Sequence, residues 1–337
     1  MKFKIWIGIA ISALFIWLTF REVDYSSLWS AMKKADYNYL LPVIIITMLQ
    51  FYIRALRWGI LLEPVKKIGQ LSLFSATSIG YMANNILPAR IGEFVKAYAI
   101  GKSEDVSMSS SFATIVIERI LDLMAVLMLL FLVLFIVDFP AERSGLENTL
   151  RTGGMAAAPV FLLAIIFMHY FKKKSDLFKK MAINLLSPFS THFAEKAGRF
   201  LDSFASGLAV MKRGHHLIKI SLYSVIIWFI AALPIHLTLI SFGYSPPFSI
   251  SLFILVLIGI AVSIPSAPGF IGTFHYACSK GLELFNLPVE EALSISIILH
   301  AINFFPITLI GFFFLWRDNI SLMDAEKLEE KAEEALP

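Results

Sequence analysis

The chain has 337 residues, of which 58% are hydrophobic and 16% charged, with a formal net charge of +4 and a mean hydropathy of +0.74. A soluble chain of this length could not cover so much apolar surface, so the composition excludes a water-soluble enzyme and points to a polytopic membrane protein of roughly six to eight crossings. A single cysteine, Cys278, excludes an internal disulfide and sits in an apolar stretch, where it reads as a packed thiol.

In chain order, Lys2 and Lys4 lead into an apolar run that Arg21-Glu22 closes without a small-x-small cleavage site. Residues 3–20 therefore read as an uncleaved first helix with its N-terminus inside. Residues 21–39 read as a mixed-charge loop. A second helix, 40–62, carries Arg54 and Arg57, three apart on one face. Apolar 71–83 is too short to cross, and the stretch Asn84–Phe94 interrupts it with amides, Pro, Gly and charge. A short second arm, 93–100, leads to a polar loop at 101–110. A long helix, 112–137, has Glu118, Arg119 and Asp122 near its start.

A net-acidic loop, 138–153, separates this helix from one expected at 154–171. The loop 172–216 is the most basic of the chain, which places it on the cytoplasmic side. Residues 217–242 form a helix, followed by the uncharged turn Gly243–Pro247, apolar 250–264, a break at Pro265–Gly272, apolar 273–285 and a last helix, 289–316. The tail, 317–337, is charged and expected to be helical and cytoplasmic.

The two breaks echo each other. Leu87–Phe94 aligns without gaps to Ala267–Phe274, with Pro, Ile, Gly and Phe recurring at an offset of 180. Counting sides from the basic loops makes 71–110 leave from the inside and return to it. Its second arm is about 12 Å long, against roughly 30 Å of hydrocarbon, so it reads as a re-entrant hairpin. Segment 250–288 reads as either a re-entrant hairpin or two short crossings. The expected fold is thus an all-α polytopic membrane protein, one transmembrane domain over 1–316. Two inverted repeats of helix, broken hairpin and helix occupy 38–137 and 217–316, a transporter architecture.

Several groups in this frame could carry chemistry. The second arms start at Glu93 and Thr273, where free helix N–H groups attract anions. Gly92, Gly269 and Gly272 either admit a ligand or serve only the tight turns. Arg54 and Arg57 either hold a phosphate in bidentate fashion or snorkel to headgroups. Arg90 and Glu93 flank the first turn as ligand groups or as a structural ion pair. Lys96, one turn beyond, either supports that region or faces water. Glu118 and Asp122 lie four apart and repel unless a cation stands between them; Arg119, Arg90 or a substrate amine would supply it. At an offset of 181, His300 and Asn303 fall opposite Arg119 and Asp122. His275 follows the second break. Asn84 and Asn85 satisfy freed backbone groups or touch a headgroup. No phosphate loop, metal-spaced Cys/His set or nucleic-acid surface is present in the sequence.

The run Asn85-Ile-Leu-Pro88-Ala-Arg90-Ile-Gly92-Glu93, then Glu118-Arg119-x-x-Asp122, then Pro265-x-x-Pro268-Gly269-x-x-Gly272, resembles the transmembrane region of lysylphosphatidylglycerol synthases. It is equally similar to the stand-alone flippase-like UPF0104 membrane proteins. Arg57-Trp58 resembles the family's Arg-Trp pair. The resemblance covers residues 1–316 and implies a lipid-flipping membrane domain. With the chain ending at Pro337, no soluble aminoacyl-transferase domain is expected.

The expectation is a translocase of the cytoplasmic membrane, with both termini inside and a membrane lipid as substrate. Arg54, Arg57, Arg90 and Arg119 would hold a phosphate. Glu93, Glu118 and Asp122 would balance them or bind a cationic headgroup. Asn85, Gly269, Gly272, His275, His300 and Asn303 would complete the site. No cofactor, metal or nucleic acid is expected; a homo-oligomer or a partner enzyme is allowed. The rival expectations are a membrane-embedded lipid-modifying transferase with Glu118 or Asp122 as base, and a membrane scaffold for a partner protein.

Overall fold

The computed structural model describes residues 2–87, 91–140, 173–188 and 214–322, with scattered positions between 152 and 201. Arg90, the body of the expected helix 154–171, most of the basic loop and the tail beyond 322 lie outside the described residues. Every described element is helical.

Helix α1 (Lys2–Phe20) ends at a bend of 83° that leads into α2 (Tyr25–Lys34). This corrects the expectation of a loop over 21–39. Asp24 caps α2 by accepting from the N–H of Ser27 at 3.0 Å and of Ser26 at 3.4 Å. Leu28 and Ala31 bury one face of α2, and Leu28 clusters with Leu293 of the last helix. The charge that makes the segment look like a loop precedes α2 at Arg21, Glu22 and Asp24 or ends it at Lys33 and Lys34, and Lys34 lies 3.7 Å from Glu291 of the last helix.

Helix α3 (Leu40–Leu62) has the expected bounds. Helices α4 (Gln70–Ile86) and α5 (Gly92–Glu104) form the first short pair. Asn84 and Asn85 belong to the last turn of α4, so the chain breaks after Ile86 rather than at Asn84. Helix α5 is longer than the expected arm 93–100. With 17 and 13 residues, the two helices are about 25 and 20 Å long, still short of a bilayer core. They cross closely: a Cβ on Gly92 would stand 2.2 Å from the carbonyl oxygen of Gly80.

Helix α6 (Met108–Ile136) starts one turn earlier than expected because Ser107 caps it. Helix α7 (Ser175–Leu186) lies within the stretch read as a basic loop. Helix α8 (Gly214–Ser241) is followed by the second short pair, α9 (Phe248–Ala261) and α10 (Thr273–Glu283), joined through a 3-10 turn at Pro268–Phe270. Helix α11 (Val289–Arg317) closes the described chain and ends at Asp318, so the helix does not run unbroken into the tail. Among the described residues four helices are long and apolar enough to cross a membrane: Tyr37–Leu62, Met108–Ile136, Ile218–Ser241 and Val289–Arg317. The bent α1–α2 pair would make five if counted as one span.

Helices α6 and α11 each have 29 residues and start at Met108 and Val289, 181 positions apart. Helices α5 and α10 start at Gly92 and Thr273, also 181 apart. The break alignment at 180 therefore slips by one: Gly92 is the first residue of α5, whereas Gly272 precedes α10. The packing follows the same correspondence. Within each set, α3–α4–α5–α6 and α8–α9–α10–α11, consecutive helices touch and the first touches the last. Between sets, α3 meets α8, α4 meets α11 as α9 meets α6, and α3 meets α11 as α8 meets α6. Helix α1 lies outside this scheme, along α10, where Ser12 Oγ accepts the Ala267 N–H of the second break at 2.8 Å.

Two large apolar clusters dominate the interior among the described residues. One gathers Trp58, Ile79, Met82, Ile100 and Ile117 around α3–α6. The other gathers Phe253, Ile254, Leu282 and Leu299 around α9–α11. A Cβ on Gly311 would stand 2.3 Å from Met82 Cβ, so α4 and α11 lie nearly backbone to backbone.

Candidate functional site

Helices α3 and α6 meet where their charged faces coincide. Spacing alone puts Arg54 with Arg57, and Glu118 with Asp122, on one side of their respective helices. Arg57 Nη2 lies 2.8 Å from Asp122 Oδ1 and 3.2 Å from Glu118 Oε1, so one guanidinium separates the two carboxylates. Its Nη1 donates to Ser224 Oγ on α8 at 3.1 Å. Arg54 Nη1 reaches Asp122 Oδ2 at 3.1 Å, and its guanidinium faces the Trp228 ring at 5.8 Å. The Arg57 and Glu118 side chains are both 0% exposed. Neither arginine snorkels; both are locked into buried ion pairs, which overturns that alternative.

The cation between Glu118 and Asp122 is therefore chiefly Arg57, with Arg119 at 3.6 Å from Glu118 and 3.5 Å from Asp122. Lys96 of α5 completes the cluster. Its Nζ donates to Glu118 Oε2 at 2.8 Å and stands 4.0 Å from the centroid of the Trp58 ring. Trp58 is held by a hydrogen bond from its Nε1 to Thr114 Oγ1. Lys96 does not face water: its side chain is 6% exposed. The sequence signal for it was its place one turn past Glu93, on the same side of α5.

Arg119 differs from the others. It is the most exposed of the cations in the cluster, at 39% of its side chain, although its Nε, like that of Arg57, is buried and makes no hydrogen bond among the described residues. Its Nη1 lies 4.0 Å from Glu93 Oε1, and Asn84 Nδ2 approaches Glu93 Oε2 at 3.4 Å. Asn84 Oδ1 also accepts the Gly92 N–H at 2.9 Å, so one amide caps the first turn of α5 across the break. Arg119, Glu93, Asn84, Tyr81 and Lys96 line a polar cleft. Through Arg119 and Glu93 the cleft joins an open groove of about 270 Å³ lined by Phe112, Val116, Ile120 and Leu123 on one face of α6. Among the described residues, four cations (Arg54, Arg57, Lys96, Arg119) face three carboxylates (Glu93, Glu118, Asp122), leaving one positive charge uncompensated.

The second break is built differently. Gly269 has φ 70° and Gly272 φ 92°, a region that side chains with a Cβ rarely adopt. His300 Nε2 lies 2.7 Å from the Gly269 carbonyl oxygen, and Gly272 N–H donates to His275 Nδ1 at 3.4 Å. The two imidazoles are 4.6 Å apart, so they hold the turn together as a pair. Asn303 donates to Leu299 O within its own helix. Asn85 donates to Thr308 Oγ1 at 2.8 Å and Phe304 O at 3.3 Å, tying the end of α4 to α11. A Cβ on Gly269 would stand 3.2 Å from the Asn85 carbonyl oxygen, so the two breaks do meet. The residues lining the charged cleft nevertheless come from the first hairpin and α6; Gly269, Gly272, His275, His300 and Asn303 are not among them. Among the described residues no three His, Cys, Asp or Glu side chains are grouped to hold a metal.

The family described as the lysylphosphatidylglycerol synthase TM region matches residues 5–311. A UPF0104 membrane protein of Methanothermobacter thermautotrophicus is 24% identical over 258 residues, covering 72% of this chain and 74% of that protein. One of Pyrococcus horikoshii is 28% identical over 298 residues, covering 83% and 87%. A Haloferax volcanii protein named glycosyltransferase AglD is 22% identical over 355 aligned positions, covering 97% of this chain and 56% of that one. No solved structure matches the chain.

Proposed function

Because the chain belongs to the lysylphosphatidylglycerol synthase transmembrane-region family, we propose that this multi-pass membrane protein is a lipid translocase that carries an anionic or aminoacylated phospholipid between leaflets. The observation that supports this reading most is the junction at Arg119. A cation exposed over 39% of its side chain, in a cluster that carries one positive charge in excess, opens into an apolar groove. That is the complement of an amphiphile: the phosphate bonds to Arg119, Asn84 and Tyr81, and one acyl chain lies along Phe112, Val116, Ile120 and Leu123. Arg57, Arg54, Lys96, Glu118 and Asp122 form the fixed ionic floor that keeps Arg119 in place, since a buried charge that lost its partners would be strongly unfavourable.

In this reading the two helix sets, about 38–137 and 217–316, are inverted repeats whose short pairs re-enter the membrane. Positive charge in the cytoplasmic loops sets the orientation, with both termini inside and the charged tail at 317–337. The sets rock about the α3–α8 contact to expose the cleft to either leaflet. The test is movement of a fluorescent phosphatidylglycerol across reconstituted vesicles. Wild-type protein is expected to exchange it, and Arg119→Gln to slow exchange by about tenfold or more. Wild-type vesicles that match protein-free ones with every anionic phospholipid tried would overturn the reading. A second reading, a membrane module that serves a lipid-linked transferase, draws on the relative named a glycosyltransferase. It predicts a covalently altered lipid pool in a deletion strain, read by mass spectrometry.

A further inference from the structure

The chain leaves each 29-residue helix through a short segment that folds back onto the short helix pair of the other set. After α11, Asn319 takes a left-handed conformation (φ 50°) and the Ile320 N–H bonds back to Leu315 O at 3.1 Å, which stops the helix and turns the chain. Asp318 then accepts from Ser75 Oγ on α4, Lys102 of α5 donates to Asn319 O at 2.7 Å, and Ile320 is buried in the α3–α6 cluster. After α6, Val137 is 0% exposed. Phe139 stacks on Phe285, just past α10, at 5.6 Å and meets Phe253 of α9 edge-on at 5.4 Å. Ile320 and Phe139 are 181 positions apart, like the helices they follow. Each short pair is therefore clasped across both its arms by the segment that follows the opposite set's long helix. One clasp is polar, the other aromatic, and they belong to separate apolar clusters.

We infer that these two clasps are the opposing gates of the translocation pathway, an assignment that rests on the translocase reading. The 318–320 clasp closes the α4–α5 pair on the side that carries Lys66 and Lys102; the 137–139 clasp closes the α9–α10 pair on the other. The reason is mechanical. If the two sets rock against each other, contacts that tie one set to the short pair of the other must break at one end and persist at the opposite end. These segments are the covalent extensions of one set that grip the other. A pair of hydrogen bonds to Asp318 and Asn319 O is exchanged for water at small net cost, and a three-ring contact at Phe139 is lost without breaking any bond. Both clasps are formed in the structure, so it is the state closed to both sides.

The experiment labels a reporter cysteine, Tyr81→Cys in a Cys278→Ala background, with an impermeant maleimide in right-side-out and inside-out vesicles. Lys102→Gln with Ser75→Ala is expected to speed labelling from one side only, and Phe139→Ala from the other side only, each by roughly five- to tenfold, the effect of losing one or two such contacts. A disulfide between Ser75→Cys and Asp318→Cys is expected to slow labelling from the first side, and reduction to restore it. Acceleration from the same side by both variants, or no change in either with monodisperse protein, overturns the assignment. Should a loss-of-contact variant fail to fold, the disulfide pair decides, and unchanged labelling on oxidation overturns it. Labelling reads opening without any lipid, and lipid movement is measured on protein that keeps Tyr81, since that residue is placed at the phosphate. Normal gating in the reporter with no lipid movement by the wild-type protein would therefore count against the translocase reading, and lipid movement with clasp-independent labelling against this one.

Discussion

The ammonium of Lys96 lies 2.8 Å from Glu118 Oε2, which couples the first short helix pair to α6 through a buried charge. Removing Lys96 leaves Glu118 with Arg57 and Arg119 but strips the bond that fixes its second oxygen. Lys96→Met is expected to cost about 3 kcal/mol, seen as a lower unfolding temperature in detergent. The double variant Lys96→Met/Glu118→Gln is expected to recover part of that loss. A single variant as stable as wild type would contradict the ionic-floor role.

Arg57 and Arg119 bind the same two carboxylates but differ in exposure, 0% against 39% of the side chain. Arg57→Gln leaves two buried carboxylates underpaired and is expected to destabilise by about 3–5 kcal/mol or to prevent recovery of folded protein. Arg119→Gln is expected to cost no more than about 1 kcal/mol, the scale of a partly exposed pair, while impairing lipid exchange. Thermal stability and vesicle exchange, measured side by side, separate the two roles; equal destabilisation would remove the distinction.

Gly269 meets two constraints at once: φ is 70°, and a Cβ would stand 2.7 Å from the Phe304 ring. Gly269→Ala is expected to destabilise by about 1–3 kcal/mol through strain and overpacking. It also displaces the carbonyl that His300 holds. Loss of stability should exceed that of an alanine placed at Gly69, where nothing lies within 4 Å.

The Asp24 carboxyl is lowered from 3.8 to about 2 by hydrogen bonds from Ser27 and then Ser26. A depressed carboxylate stabilises fully above its unfolded value and loses that contribution as pH falls through the folded value. Helix α2 is therefore expected to loosen between about pH 4 and pH 2, followed by amide hydrogen exchange at Ser26 and Ser27. Asp24→Asn keeps a capping oxygen and should flatten the pH dependence over that window; an unchanged profile would refute the cap.

Apolar run lengths fixed the helices at Leu40–Leu62 and Val289–Arg317 almost to the residue, because burial in a membrane leaves backbone groups no alternative to the helix. The Pro and Gly residues located both breaks, since few other residues leave a helix so abruptly. Helical spacing put Arg54 with Arg57 and Glu118 with Asp122, and so announced that a cation must stand between the carboxylates. What spacing could not supply was partner choice: it nominated Arg119, which does reach both carboxylates, but not Arg57 of α3, which separates them, and it left open whether Lys96 of α5 faces water or meets Glu118, because those contacts join different helices. The amphipathic helix α2 was hidden for a related reason, its apolar face being short and completed by Leu293, Val289 and Ile297 of the last helix. The grip of Phe139 and Ile320 on the opposite helix pairs was likewise decided by tertiary packing alone, for a short apolar residue after a helix has no periodicity to reveal what it will touch.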